Sequence, residues 1–309
     1  MNILIIGLGS IALKHISALK QIDYSISINA LRSNENSSII KGVNNFYSID
    51  DVTLKPDFVI ISNPTHLHYQ AIKDSLKFSC PLLIEKPVLN KLEQSSELQK
   101  VINSKKIKTY IACNLRFHPV IKELKTWIEE AKPIINEVNV YCGSYLPDWR
   151  PGKDFRKIYS ANAEMGGGVH LDLIHEIDYC YWLFGKPLKT KKLTRSNSSL
   201  KINSIDYANY QLIYANFVVN IVLNYYRKDT KRGIEIITNE QTIEANLVNA
   251  KICSSNERLY PTKQFDEFKI SDTYLDQLKY YLSCIRQEEK LMNDFDEALE
   301  VLKITLADV

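Results

Sequence analysis

The sequence predicts an α/β protein whose N-terminal part is a doubly wound parallel sheet. Short apolar runs alternate with helical patterns over residues 1–118, and a chain of 309 residues exceeds what one typical hydrophobic core organises. Residues 119–309 hold segments in which apolar and polar side chains alternate, the pattern of strands with one face on a core. We therefore predict two domains, 1–118 and 119–309, with a C-terminal helix that can pack back on the first.

The composition argues against several classes of partner. The net charge is only +3, and the lysines are scattered instead of clustered, which is atypical of a nucleic-acid surface. The six cysteines contain no CxxC pair, which indicates reduced thiols. The apolar run after Met1 is too short for a signal peptide or a membrane span. We expect a cytoplasmic protein that binds neither nucleic acid nor membrane.

A glycine-rich turn follows the first apolar run, residues 2–7. Gly7, Gly9 and Ala12 have G-x-G-x-x-A spacing, and a helical pattern begins after them. The first glycine permits a tight turn, the second lets a pyrophosphate approach the backbone, and the small third residue lets helix and strand pack closely. The alternative is an ordinary tight strand–helix turn. The predicted cofactor contacts here are Gly7, Gly9, Ser10 and Ile11.

The end of the second predicted strand, residues 25–34, bears on the choice of cofactor. An NAD-binding domain usually has an acid here that binds the ribose 2′-hydroxyl. This chain has Arg32 and Ser33 instead, with no acid before Glu35. A guanidinium suits a 2′-phosphate, so the sequence favours NADP over NAD, with Arg32 and Ser33 as contacts. The alternative is that Arg32 is a solvated strand-end residue.

Five motifs in order resemble the Gfo/Idh/MocA family, named for glucose–fructose oxidoreductase and inositol dehydrogenase. They are the glycine turn, SNPTHLHYQAI, EKP, NLRFHP and the GGG…D…H..D segment, and together they run along essentially the whole chain. The resemblance implies an N-terminal Rossmann domain followed by an α+β domain with a large, mostly antiparallel sheet. With the rule that α/β sheets bind ligands at the carboxyl ends of their strands, it adds further expected cofactor contacts: Asn63, Pro64, His68, Glu85, Lys86 and Arg116.

The same resemblance implies catalytic roles for three residues. Lys86 matches the lysine of the E-K-P motif, Asp172 the aspartate after the last glycine, and His175 the histidine of H-x-x-D, whose acid is Asp178. The family's usual spacing from aspartate to histidine is four residues. Here it is three, and Glu176 occupies the fourth position, which weakens the match of Asp172 more than that of His175.

The segment 164–178, EMGGGVHLDLIHEID, combines three consecutive glycines with a cluster of acidic and histidine side chains. A single helix starting near Val169 would carry Asp172 and His175 on one face, together with Tyr179 and Trp182. We predict His175 as the general acid/base, oriented by Asp172 or Asp178, and glycines that let the chain pass close to a flat cofactor. The alternative is that His175 is a buried histidine whose hydrogen-bonding capacity is satisfied by a carboxylate. For His170 we expect a local or substrate-contact role, and we predict no metal site.

A long loop, residues 142–165, precedes that cluster and mixes aromatic and basic side chains. Aromatic rings stack on sugars and arginines bind phosphates, which favours a phosphorylated or nucleotide-linked sugar. The sequence of this loop is similar to that of family members from bacterial surface-sugar pathways. The alternative is a solvated basic loop. The predicted substrate contacts are Trp149, Arg150, Arg156, Tyr159, His170, Asp172 and His175.

These features predict an NAD(P)-dependent oxidoreductase that transfers a hydride between nicotinamide and a carbinol or keto carbon of a sugar derivative. Two alternatives stay open: an epimerase or eliminase that oxidises its substrate transiently with tightly bound cofactor, and a non-catalytic nucleotide sensor. The family often pairs its C-terminal sheets, so we also expect a homo-oligomer formed through that sheet.

Overall fold

The computed structural model describes residues 1–36 and 39–306. Two compact units account for the chain: unit 1 comprises residues 1–114 and 270–302, and unit 2 comprises residues 115–269 and the chain from Lys303 onward. Unit 1 contains a six-stranded parallel sheet and unit 2 an eight-stranded, mostly antiparallel sheet. The predicted fold class is therefore confirmed.

The sheet of unit 1 is built from short buried strands. They are β1 Asn2–Ile6, β2 Ser27–Leu31, β3 Val43–Phe46, β4 Phe58–Ile61, β5 Leu82–Glu85 and β6 Thr109–Ala112. Their order is β3-β2-β1-β4-β5-β6. Strands are thus added toward one edge of the sheet from β1 to β3 and toward the other edge from β4 to β6. In such sheets ligands bind at the carboxyl ends of the strands near the switch point between β1 and β4. The connecting helices are α1 Ser10–Ile22, α2 His68–Ser75 and α3 Ser95–Ser104.

Two strands of this sheet differ from the sequence prediction. β3 has the sequence VNNF and was not predicted, because an edge strand with a single buried residue carries no apolar run. The sequence pattern of residues 109–119 predicts one strand, but β6 ends at Ala112, and a 3-10 turn, Asn114–Phe117, follows it. The reason lies just beyond, where Nδ1 of His118 accepts a hydrogen bond from the Val120 amide and Pro119 begins the next helix.

Unit 2 places its helices on one side of a large sheet. Its helices are α4 Pro119–Ala131, α5 Val169–Asp172 and α6 His175–Phe184. Its strands are β7 Ile135–Tyr145, β8 Lys189–Arg195, β9 Tyr207–Ile213, β10 Val218–Asn224, β11 Tyr226–Thr238, β12 Thr242–Asn246, β13 Lys251–Ser254 and β14 Lys263–Gln264. Their order is β14-β13-β12-β11-β7-β10-β9-β8, and only β7 and β10 pair in parallel. Val138 and Val140 of β7 are buried on the face that α6 covers, while the intervening Asn139 and Tyr141 are partly exposed.

The helix predicted to start near Val169 is broken. Leu173 leaves the helical conformation, with φ −100° and ψ 31°, so α5 ends at Asp172 and α6 begins at His175. Asp172 and His175 therefore belong to different helices, and the expectation that they lie one turn apart on one helix face is wrong.

Two C-terminal helices complete the chain, α7 Ile270–Arg286 and α8 Phe295–Leu306. α7 packs against α1 in unit 1. The sequence has an aspartate, Asp272 and Asp294, before each of the two amphipathic patterns, which predicts an N-cap for both helices. The prediction is confirmed for α8, since Oδ1 of Asp294 accepts a hydrogen bond from the Glu297 amide. It is wrong for α7, because that helix begins at Ile270 and Asp272 lies inside its first turn. No helix in the described part of the chain combines the length and the apolar character needed to cross a bilayer.

Candidate functional site

The turn after β1 has the geometry that a dinucleotide phosphate requires. Gly7 has φ +86°, and a Cβ there would lie 2.6–2.8 Å from the backbone and Cβ of Asn63, so only glycine fits. A Cβ at Gly9, by contrast, would meet no atom within 4 Å, and Gly9 caps the N-terminus of α1. Ala12 is fully buried, as its packing role predicts. Open space beside a bare helix N-terminus fits a pyrophosphate. Ser10 and Ile11 form the first turn of α1.

His68 connects two loops at the carboxyl edge of this sheet. Its Nε2 lies 3.0 Å from the Asn63 carbonyl oxygen, and its Nδ1 lies 3.0 Å from that of Pro87 and 3.2 Å from that of Val88. The ring is only 1% exposed, and burial lowers the pKa of His68. The contacts seen for His68 are thus structural, and its cofactor contact stays a prediction. It positions the loops carrying Asn63, Pro64 and the residues next to Lys86.

Glu85 is the last residue of β5, and Lys86 follows it, just before Pro87. Oε1 of Glu85 lies 2.6 Å from Nε2 of His15, which is fully buried on α1. The pair ties the carboxyl end of β5 to α1. Lys86, the next residue, is partly exposed at the edge of the sheet. This position is where ligands bind in this class of sheet.

Arg32 follows β2, as the sequence predicted, and its side chain is mostly covered. The residue is 8% exposed, and its Nη1 donates a hydrogen bond of 3.3 Å to Oδ1 of Asn45, the residue before the end of β3. Ser33 beside it is exposed. Asn45 thus restrains the guanidinium at the strand end where a cofactor ribose would lie.

Arg116 belongs to unit 2, where it is paired with Asp178. Its Nε and Nη2 donate hydrogen bonds of 2.9 and 2.7 Å to the two carboxylate oxygens of Asp178, and the side-chain exposures are 0% and 1%. The structure thus gives Arg116 a buried structural partner, and its cofactor contact stays a prediction. The same pair engages both oxygens of Asp178, the acid of the H-x-x-D motif.

Glu176 is also held by an arginine. Its two carboxylate oxygens accept hydrogen bonds of 2.6 and 3.1 Å from Arg232 on β11, and the glutamate side chain is 0% exposed. A buried carboxylate with both oxygens bonded to an arginine is held in place by charge-assisted hydrogen bonds. Glu176 occupies the family's usual histidine position by spacing, but in this chain it anchors α6 to the sheet.

Asp172, at the end of α5, is bonded to a tyrosine that the sequence reasoning missed. The Tyr225 hydroxyl donates a 2.5 Å hydrogen bond to Oδ2 of Asp172. The ring of Trp149 meets that of Tyr225 edge-on at 5.3 Å, and the Trp149 indole donates to Oγ of Ser144 at 3.0 Å. Asp172 and Trp149, 23 positions apart in sequence, are thus brought together through Tyr225. No signal in the tyrosine-rich segment 205–226 distinguishes Tyr225 from its neighbours.

The glycine run is explained by packing inside unit 2. A Cβ at Gly167 would lie 2.1 Å from the carbonyl oxygen of Tyr159, and one at Gly168, where φ is +133°, would lie 2.8–2.9 Å from the imidazole of His170. The Tyr159 hydroxyl donates to the carbonyl oxygen of Gly166 at 2.8 Å. The bare backbone therefore lets the turn at 159–162 fold directly against this segment. Tyr159, predicted to contact substrate, packs on the glycines.

The two histidines of this segment are both largely buried. His175 begins α6 and is 8% exposed. His170 is 6% exposed, and burial, with a smaller effect of the Lys192 charge, lowers its pKa to about 4. His170 is thus a neutral, packed residue at physiological pH, in the local role that the sequence allowed.

The predicted substrate loop is a series of short 3-10 turns after β7. They are Leu146–Trp149, Phe155–Lys157 and Tyr159–Ala161. Trp149 is 37% exposed, and Arg150 is exposed. The guanidinium of Arg156 lies over the ring of Phe155 at 4.5 Å, and its side chain is 55% exposed. These arginines are accessible to an anionic ligand, and they equally fit the solvated alternative.

Comparison with known proteins gives a family for the N-terminal part. Residues 1–112 match the family model described as "Oxidoreductase family, NAD-binding Rossmann fold", GFO_IDH_MocA. The chain is 24% identical over 234 residues to the uncharacterized oxidoreductase YrbE of Bacillus subtilis, an alignment that covers 71% of this chain and 65% of YrbE. The match therefore spans less than two thirds of that relative's length.

Two solved structures share the fold over nearly the full chain. UDP-N-acetylglucosamine 3-dehydrogenase GnnA from Acidithiobacillus ferrooxidans superposes with a TM-score of 0.80 at 18% identity, covering 99% of this chain and 95% of that one. A levoglucosan dehydrogenase in complex with NADH superposes with a TM-score of 0.86 at 16% identity, with the same two coverages of 99% and 95%. Identities this low establish the fold alone. Over residues 1–112 the family model confirms the resemblance seen in the sequence: this part of the chain matches the NAD-binding Rossmann domain of the Gfo/Idh/MocA oxidoreductases.

Proposed function

We propose that the protein is a sugar dehydrogenase or reductase, which transfers a hydride between nicotinamide and a carbinol or keto carbon of a sugar derivative. The observation that carries the proposal is the grouping of Asp172, Tyr225 and Trp149 in unit 2 of a chain with an NAD-binding domain. A carboxylate accepts hydrogen bonds from sugar hydroxyls, and a tryptophan edge or face packs on a sugar ring.

Each of the predicted catalytic residues then has a defined task. Nicotinamide, when bound, supplies or accepts the hydride. In the oxidation direction, an imidazole nitrogen of His175 takes the proton of the reacting hydroxyl, and the Nζ ammonium of Lys86 stabilises the negative charge that develops on that oxygen. Asp172 accepts a hydrogen bond from the substrate and so orients the sugar. In the reverse direction His175 returns the proton to the oxygen.

The substrate class that we propose is a nucleotide-linked or phosphorylated sugar. Arg150 and Arg156 are exposed on the loop that carries Trp149, where their guanidiniums can pair with phosphate oxygens. The structural neighbour named as a UDP-N-acetylglucosamine dehydrogenase agrees with that class. For the cofactor we propose NADP, because Arg32 stands where NAD-binding domains usually carry an acid, with NAD as the alternative.

The test is a substrate screen with the purified protein. Nucleotide sugars, sugar phosphates and free sugars are each mixed with NAD or NADP, and the absorbance of the reduced nicotinamide is followed. We expect turnover with at least one sugar and its loss in Lys86→Ala. Conversion of a sugar with no added cofactor and no net absorbance change would support the transient-oxidation alternative. Tight nicotinamide binding without any conversion would support the sensor.

We also propose that copies of the chain pair through the sheet of unit 2. On the face opposite α6, Gln211, Asn220, Asn139 and Glu235 form a ladder of hydrogen bonds across four strands, each between 2.9 and 3.4 Å. A regular, partly exposed polar ladder of this kind suits pairing with a second copy. Light scattering after size-exclusion chromatography would give the molar mass, and a value near 35.6 kDa for the wild type would exclude the pairing.

A further inference from the structure

Tyr225 is the point at which several segments of unit 2 meet. Its amide donates to the carbonyl oxygen of Asp206 at 3.1 Å, and its own carbonyl oxygen accepts from the Leu146 amide at 2.8 Å. Its ring meets Trp149 edge-on, and its hydroxyl donates to Asp172. One residue thus joins the start of the substrate loop, the end of α5 and the chain entering β9.

The protonation state of the Tyr225 hydroxyl makes it the donor in the hydrogen bond with Asp172. Tyr225 is 0% exposed, and burial, with a smaller contribution from the neighbouring Asp172 charge, raises its pKa well above the usual value. The phenol therefore stays protonated near neutrality and acts as a donor. The 2.5 Å hydrogen bond therefore holds Oδ2 of Asp172 against a buried donor.

We propose that Tyr225 is the positioning residue for Asp172, and that it couples the orientation of this carboxylate to the substrate loop through Trp149. This rests on the proposed function, in which Asp172 contacts the sugar. A misplacement of about 1 Å at a substrate-orienting group costs on the order of a hundredfold in rate. Backbone hydrogen bonds hold the main chain of Tyr225, and Trp149 packs edge-on against its ring, so the hydroxyl has a restrained position.

The test is a cycle of four proteins: wild type, Tyr225→Phe, Asp172→Ala and the double variant. Phenylalanine keeps the ring and its packing on Trp149 but removes the donor. We expect Tyr225→Phe to lower kcat by about tenfold to a hundredfold with the dissociation constant of the cofactor unchanged, and to lower it less than threefold when Asp172 is already alanine. Tyr210→Phe is the matched control, because it removes a hydroxyl that is equally buried in unit 2 and bonded to the Thr305 carbonyl oxygen.

Three results would overturn the proposal. In the first, Tyr225→Phe lowers kcat by the same factor with and without Asp172. In the second, it lowers kcat no more than Tyr210→Phe does. The third is independent of turnover: Tyr225→Phe shifts the urea-unfolding midpoint equally in the wild-type and Asp172→Ala backgrounds, which would show that its hydroxyl and Asp172 are not coupled. A wild type with no activity on any sugar refutes the proposed function, whereas uncoupled midpoints refute the role of Tyr225 alone.

Discussion

Arg116 and Asp178 form a bidentate ion pair in the interior of unit 2, and neither side chain is more than 1% exposed. The ring of Trp182 lies 5.7 Å from the guanidinium, so the pair is also covered by an aromatic face. Asp178 is on α6, and Arg116 lies in the turn before α4. In this chain the acid of the H-x-x-D motif therefore secures the helix that begins with His175.

Breaking this pair should strongly destabilise the protein. Arg116→Ala leaves a buried, unpaired carboxylate, and we expect the free energy of unfolding to fall by about 3–5 kcal/mol. Arg227→Ala is the control, since the partner of Arg227, Asp229, is 81% exposed, and an exposed pair contributes about 1 kcal/mol at most. Urea denaturation of both variants measures the difference. Equal losses for the two variants would contradict the structural role of the buried pair.

Gly167→Ala should disrupt the segment between the substrate loop and α5. The added methyl would lie 2.1 Å from the Tyr159 carbonyl oxygen and 2.8 Å from those of Ser160 and Asn162, so the turn must move. We expect a loss of about 1–3 kcal/mol in the free energy of unfolding, as overpacking usually causes. Thermal or urea unfolding measures it, with Gly9→Ala as a control in open space. An unchanged stability would mean that the turn at 159–162 shifts at little cost.

Gly9→Ala should instead report on the cofactor. Its methyl would meet no atom of the protein within 4 Å, so the fold should tolerate it, with a loss of about 1 kcal/mol or less from the poorer N-cap. If a pyrophosphate lies against this turn, the methyl occupies its space, and we expect the dissociation constant of the nicotinamide cofactor to rise by about tenfold or more. Fluorescence titration with the reduced cofactor is the measurement. Unchanged affinity in a folded variant would place the phosphates elsewhere.

Stability should fall in mildly acidic solution because of buried histidines. Burial is the main cause that lowers the pKa of His118 and of His170 to about 4, from 6.5 in the unfolded chain. A histidine whose folded pKa is depressed binds fewer protons in the folded state. Its contribution is complete above about pH 6.5 and is lost as the pH falls toward 4, by up to about 3 kcal/mol for each residue.

The measurement is urea unfolding at pH 7.5, 6 and 5. His118→Asn keeps an acceptor for the Val120 amide but cannot titrate, so its stability should depend less on pH than that of the wild type. His118 serves this test well because its Nε2 lies 3.1 Å from the Leu247 carbonyl oxygen and its Nδ1 accepts from Val120, an arrangement that only the neutral ring can make. Parallel pH dependences of wild type and variant would rule out His118 as a contributor.

Local patterns in the sequence predicted much of the first sheet. The runs that became β1, β4 and β5 are almost wholly buried, and an apolar run ending in a turn indicates such a strand directly. The strand β3 was missed because its position at the sheet edge leaves Asn44 and Asn45 at least partly exposed. The break at Leu173 was missed because nothing in the spacing of Asp172 and His175 distinguishes one helix from two.

The candidate site was predicted less completely, because its contacts join distant parts of the chain. Asp172 was found through its motif, but its partner Tyr225 lies 53 positions away, and Arg116 lies 62 positions from Asp178. Such long-range side-chain contacts depend on how strands and helices pack in the fold, and the periodicity of either segment does not predict them. The family motifs predict cofactor contacts for Arg116 and His68, but they do not predict the buried contacts that both residues make with neighbouring segments.

The choice between NADP and NAD provides the last prediction. Arg32 stands after β2 without an acid nearby in the strand, and Asn45 restrains its guanidinium through a 3.3 Å hydrogen bond. A guanidinium attracts a 2′-phosphate that a carboxylate would repel, and such a contact is expected to favour NADP by about 1.5–3 kcal/mol, roughly one to two orders of magnitude in affinity. Arg32→Ala should remove most of that preference with little change in the affinity for NAD, and Asn45→Ala should remove part of it by releasing the guanidinium. Dissociation constants for NADPH and NADH, measured by fluorescence at one salt concentration in all three proteins, decide the question. A wild type that binds NADH as tightly as NADPH, or more tightly, would exclude this role for Arg32 while leaving the proposed dehydrogenase activity intact.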